Sequence, residues 1–297
     1  MAFRASSYSR YTGVKSKRPA WVPVMFSTWG RGWKSKWVRR ITTMSLLLAI
    51  ALTLLLYALN VAIPDWRTIA QSLGEMGVAG DRSFQITNAT YLGLLNLYIH
   101  PFLLPLSLLF GYDLIAGDLR TNALEAYFAR PLTPWGYLFG RTAAYAGFLL
   151  AVTLAPMLWI WLFDVSTGPD GHFHDVARVP FGMTAAMTLV ALTMSLLIQA
   201  ITAITRSGLW TNLVLLVVFF FSGGMGTILT EVTDNPEMGA IAFWNDIYVV
   251  SAGFMGVDHE ISTRLPSFGL ALTVLLAICG GSLLVLTRAL HKRTLVG

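Results

Sequence analysis

Six long apolar stretches decide what this chain can become. They occupy residues 41–63, 91–111, 142–163, 181–205, 209–230 and 267–288, and each approaches or exceeds the roughly 20 residues an α-helix needs to cross about 30 Å of hydrocarbon. Inside a bilayer a backbone must satisfy its own hydrogen bonds, so a spanning segment is a helix or part of a closed barrel. The period-two alternation of barrel strands is missing here, which leaves helices. Only 12% of the 297 residues are charged, against roughly a quarter in a soluble domain. The expected fold is therefore an all-α, polytopic membrane protein with six transmembrane helices.

Charge gives the orientation. With a cytoplasmic N-terminus, 17 of the 21 Lys and Arg residues fall on the cytoplasmic side, ten of them in residues 1–40. Only Arg67, Arg82, Arg178 and Arg264 fall on the other side, as the positive-inside rule asks. The acidic residues agree: Asp113, Asp118 and Glu125 lie inside and the other twelve outside. Both termini are thus expected in the cytoplasm, with the protein in the plasma (inner) membrane. The net charge of +6 reads first as a topology signal and does not call for a nucleic-acid partner. The single cysteine, Cys279, can build neither a disulfide framework nor a zinc cluster. The first apolar run is too long and too poorly flanked for a secretory signal, so it is expected to stay as an anchor.

Residues 1–40 form a basic arm ahead of a six-helix transmembrane domain, 41–297. Trp29, Trp33 and Trp37 recur every four residues beside Lys34, Lys36, Arg39 and Arg40. That spacing predicts an amphipathic helix in the headgroup layer, its indoles toward the apolar side and its cations toward anionic lipid. Membrane lipid is favoured over nucleic acid as the partner of this arm, and residues 1–20 are expected to be unstructured. Residues 64–90 and 164–180 read as solvated outer loops. Residues 231–266 contain an apolar stretch that would make a seventh span only by sending the basic C-terminus outside. One or two short helices resting on, or dipping into, the outer face are expected instead.

Several chemistries lack their signatures. There is no GxxxxGK[ST] phosphate loop, no HExxH (His259-Glu260 is followed by Ile-Ser-Thr) and no GxSxG elbow. No enzyme activity and no cofactor are therefore expected in this chain. The uncharged polar residues Asn60, Asn96, His100, Gln199 and Asn212 fall in spans. They either bridge helices or, for Asn96, His100 and Gln199, line a translocation path. No Asp, Glu, Lys or Arg lies mid-span, where an ion-driven transporter usually carries one, so the energy source is expected elsewhere. Pro101, Pro105 and Pro156 interrupt the second and third spans and would kink them.

The most informative segment joins spans two and three, residues 111–141. Leu114, Leu124, Tyr127 and Phe128 against Asp118, Arg120, Asn122 and Glu125 give a short amphipathic helix. Pro131 and Pro134 stop it, and Trp135, Tyr137 and Arg141 lead back into the membrane. The run Asp118, Ala123-Leu124, Arg130-Pro131-Leu132-Thr133, Trp135, Tyr137-Leu138 and Gly140-Arg141 resembles the permease subunits of type-two ABC exporters, especially those encoded apart from their ATPase. That family carries here an acidic residue, a short apolar helix ending in Arg-Pro or Ser-Pro, an aromatic stretch and Gly-Lys or Gly-Arg. Asn122 and Pro134 stand where the family often has glycine and arginine.

The resemblance implies that this loop is a coupling helix docking in a groove of a separate ABC ATPase, which would hold the ATP and Mg. It places Asp118, Arg120 and Glu125 at the contact, with Leu114, Leu124 and Phe128 as anchors and Arg130-Pro131 closing the helix. It further implies a permease homodimer, or a heterodimer with a related permease, that exports or flips a substrate. Two alternatives stay open. One is an ABC-type signal to an extracytoplasmic partner through residues 231–266; the other is a membrane enzyme or cofactor-binding bundle built on His100.

Overall fold

The computed structural model describes residues 19–63, 86–111, 115–120, 132–257 and 264–294. These are almost wholly helical, and six of the helices are long and apolar enough to cross a membrane.

Helix α1 (Trp21–Lys34) precedes the spans, and Ser35 ends it by adopting an extended ψ of 125°. The same residue starts α2 (Lys36–Tyr57), its hydroxyl accepting from the Val38 amide as an N-cap does. Trp29 and Trp33 therefore share a helix while Trp37 belongs to the next one. The continuous three-indole face expected from the fourfold spacing is broken at Ser35.

A π turn, Ala58–Ala62, extends α2. Helix α3 (Asn88–Leu106) opens with a reciprocal Thr87–Thr90 capping box. It runs through Pro101 and Pro105 into a second π turn, Ser107–Gly111. The short α4 (Ala116–Arg120) belongs to the connecting loop. Helix α5 (Pro134–Thr167) starts eight residues before the expected span. Thr133 caps it by accepting from the Gly136 amide at 3.0 Å, and Pro134 fits the first turn, where no backbone donor is needed. A five-residue helix, α6 (His172–Val176), leads to α7 (Val179–Thr205). Arg206, at a left-handed φ of 53°, turns the chain into α8 (Gly208–Thr233). A 3₁₀ turn (Pro236–Ile241), α9 (Phe243–Met255) and α10 (Phe268–Thr294) complete the chain.

At the centre lies α7, packed against α5, α8, α9 and α10. Helix α5 carries α1 and α2 on its other side and also meets α3. Outward faces fall to α2, α8 and α10, where Met44, Leu47, Leu54, Phe220, Phe221 and Leu284 are exposed; hydrocarbon is the natural solvent for such side chains. Small residues set the closest approaches. A Cβ on Gly182 would stand 2.5 Å from the Phe254 carbonyl oxygen, and one on Gly226 would stand 2.7 Å from the Ala242 Cβ. Lipid tails supply no hydrophobic drive between helices, so such close backbone contact is a main source of cohesion.

The segment between α8 and α10 dips into the bundle. The Met255 carbonyl at the end of α9 accepts from Asn88 Nδ2 at the start of α3. At the other end of α9, Trp244 stacks on His100 with ring centroids 4.6 Å apart. Twelve residues separate Asn88 from His100, which is about 18 Å of helix. Phe219, well before the end of α8, packs on both Phe243 and Trp244. The chain thus descends from Thr233, turns at Ala242 and climbs back along α3 and α8 as α9. Of the two arrangements expected for residues 231–266, the described residues 234–257 adopt the one that dips.

Candidate functional site

The 111–141 loop is anchored at its base by a buried cluster at the Gly111 end of the bundle. Helix α5 presents Tyr137 and Arg141 four residues apart, hence on one face, and α4 brings Asp118 against them. Asp118 Oδ2 accepts from Tyr137 Oη at 2.7 Å and from Arg141 Nη2 in a direct ion pair. Arg141 Nη1 also donates to Thr28 Oγ1 of α1 at 2.9 Å, and Arg31 of α1 stands 3.8 Å from Asp118 Oδ1. Asp118 is 6% exposed and Arg141 1%.

Three elements therefore meet on one carboxylate, and more contacts extend the seam. Trp29 Nε1 donates to the Ala144 carbonyl. Gly140 lies so close that a Cβ would stand 2.9 Å from the Trp21 carbonyl oxygen. A Cβ on Gly32 would fall in the space taken by the Phe110 ring, in the π turn that precedes the loop. The loop base, α1 and α5 form one mechanical unit.

Asp118 was expected at a partner contact, but its carboxylate faces inward and is engaged within the chain, because the Arg141 cation is buried and needs it. Arg120 ends α4. Leu114, Leu124, Glu125, Phe128, Arg130 and Pro131 lie outside the described residues. Of the three indoles, Trp29 packs on α5, whereas Trp33 and Trp37 are 51% and 60% exposed and Arg40 lies over the Trp37 ring.

The three path candidates do not converge. Asn96 donates to the Leu92 carbonyl of its own helix, and His100 Nδ1 lies 2.9 Å from the Asn96 carbonyl oxygen. These two share α3 beside Trp244. Gln199 is enclosed between α7 and α5, donating to Thr142 Oγ1 and to Ser195. Asn212 donates across to the Leu108 carbonyl. The geometry of Gln199 and Asn212 is that of helix bridges.

Two buried acids escaped the sequence reading. Asp164, 0% exposed, joins four elements at the Asn88 end. It accepts from Tyr91 Oη at 2.6 Å and from Asn60 Nδ2 at 2.9 Å, and lies 2.8 Å from His172 Nε2. Asn60 also donates to Thr167 Oγ1. Asp164 directly follows the last apolar residue of its run and so read as loop; the signal was its lack of a nearby Lys or Arg. Asp246, in the first turn of α9, is 1% exposed, and among the described residues neither carboxylate oxygen has a hydrogen-bond partner. Burial pushes its carboxyl up to about 8. Among the described residues no three His, Cys, Asp or Glu side chains gather as a metal site. No protein-family model and no curated protein matches this chain.

Proposed function

We propose that this protein is the membrane permease subunit of an ABC exporter, driven by ATP hydrolysis in a separate ATPase. One observation carries the reading. Asp118, Tyr137, Gly140 and Arg141, four of the residues that carry the resemblance, form the buried anchor that ties the loop to α1 and α5. A loop that received a push from an ATPase would need such an anchor, because a flexible base would absorb the displacement. In this reading the 111–141 loop is the part that meets the ATPase groove, with Glu125 and Phe128 among the contact residues that the resemblance implies, and the Asp118–Arg141 pair passes the motion on. The exposed apolar faces of α2 and α8 then meet lipid or a second permease copy. The chain itself supplies no nucleotide chemistry, and the Gly111 end faces the cytoplasm.

The test is purification of the full chain from its own membranes in mild detergent, with the co-purifying ATPase activity measured. A vanadate-sensitive ATPase is expected with the wild type and is lost in a Glu125→Lys, Phe128→Asp variant that still inserts and keeps the wild-type melting temperature. An ATPase retained equally by that variant, or none with the wild type, overturns the reading.

A further inference from the structure

Asp246 stands apart from the Asp118 and Asp164 clusters, as a buried carboxyl with neither oxygen hydrogen-bonded among the described residues. An ionised carboxylate without water, hydrogen bonds or a counter-charge is strongly disfavoured, and a protein normally pairs or neutralises it. Among the described residues, its surroundings supply no counter-charge. Arg178, just ahead of α7, bonds the Phe254 and Gly253 carbonyls at the far end of α9. Glu231 of α8 pairs with Arg264 in solvent, and Glu237 of the 3₁₀ turn accepts from Ser267. On α3, His100 is held by Asn96 and Trp244, while Tyr91 and Tyr98 bond Asp164 and the Ser45 carbonyl. Helix α10 offers Cys279, bonded to Thr193, and keeps its basic residues, Arg288 onward, at its other end. Tyr248 is the remaining titratable group on α9 itself.

The acid sits on an element that is not itself a span. Helix α9 returns to the surface packed on α7, α8 and α10, and is tied to α3 by the Asn88–Met255 bond and the His100 stack. Undocking it would expose Asp246 to water without breaking a span.

We propose that Asp246 is a proton-binding site: it carries a proton while α9 is docked and releases that proton to water when α9 undocks. The docked site is closed to anything larger than a proton, because the side chain is 1% exposed. The exchange balances as one O–H bond broken on the carboxyl and one proton taken up by water. Undocking is thereby linked to pH. A group that binds its proton more tightly in the docked state makes undocking easier as pH rises, and the upward push on its carboxyl from burial places the effect in the neutral range. The inference holds whether or not an ATPase drives the protein.

Two measurements on the full chain in lipid test it. Infrared titration with isotope-labelled aspartate should show a protonated-carboxyl band at neutral pH that disappears on raising the pH past about 8 and is missing from Asp246→Asn. If the Asn variant fails to fold, Asp246→Glu must remove the labelled band equally. The second measurement places a reporter thiol at the buried Ser251 of α9, as Ser251→Cys in a Cys279→Ser background, and follows its modification by a membrane-impermeant reagent. The rate with Asp246, relative to the same reporter with Asp246→Asn, should rise by up to about tenfold per pH unit between about pH 5 and about pH 8 and then level off. A band missing at neutral pH, or a flat ratio, overturns the proposal.

Discussion

Replacing Asp118 by asparagine removes one charge and almost no volume, which isolates the electrostatic part of the loop anchor. Arg141 is 1% exposed and would keep Thr28 as a partner but lose its anion. Breaking one side of a buried ion pair costs about 3–5 kcal/mol, because the remaining charge stays desolvated. In a chain of this size each kcal/mol moves the melting temperature by about 2 °C, so Asp118→Asn should lower it by about 6–10 °C in detergent or nanodisc. Arg141→Met should cost less, since Arg31 still stands 3.8 Å from the carboxylate and Tyr137 still donates to it. The double variant Asp118→Asn, Arg141→Met should lose less than the sum by at least about 2 kcal/mol, the coupling expected of contacting charges. Thermal unfolding of the four proteins, followed by tryptophan fluorescence, gives the cycle. Additive effects, or a single-variant loss below about 2 °C, would refute the claim that this pair holds the loop base.

Asp246→Asn should make the protein more stable, with a gain that depends on pH. A carboxyl raised from 3.8 to about 8 binds more protons folded than unfolded across that window, so wild-type stability falls as pH rises through it and is flat above. The variant's advantage should therefore grow from nearly nothing near pH 4 to several kcal/mol near pH 8, read as a widening gap in melting temperature. Gly32→Ala should cost about 1–3 kcal/mol, because the Phe110 ring occupies the space of the new methyl, and Phe110→Leu in the same chain should restore part of it. Asp164→Asn should cost about 1–3 kcal/mol and loosen the Asn88 end, seen as faster hydrogen exchange at Tyr91 and His172; unchanged exchange at both would contradict the role given to that carboxylate.

The long spans were legible because a segment in lipid must be apolar over its whole length, a signal that needs no tertiary information. The start of α5 was less so. Trp135 to Arg141 reads as an interfacial return by composition, yet Thr133-Pro134 is a good helix start, and packing against α1 extends the helix through it. Helix α9 has 13 residues, too few to span, and its depth depends on contacts with His100 and Phe219 that lie more than 20 residues away in the chain. Asp118 carries the same difficulty. Its position in the loop was clear, but whether it faces a partner or Arg141 depends on how α4 folds back. Charges in loops say which side they occupy, and burial is decided by the long-range packing around them.

The break at Ser35 has a mechanical consequence. Helix α1 is riveted to α5 along its length, through Trp21, Thr28 and Trp29, and to the π turn of α3 through Gly32. Its only covalent link onward is one extended residue, after which α2 runs as a separate rod. A shift of the loop base would thus reach the foot of α2 through a bend, while the far end of α2 stays tied to α5 through Asn60, which donates to Asp164 and Thr167.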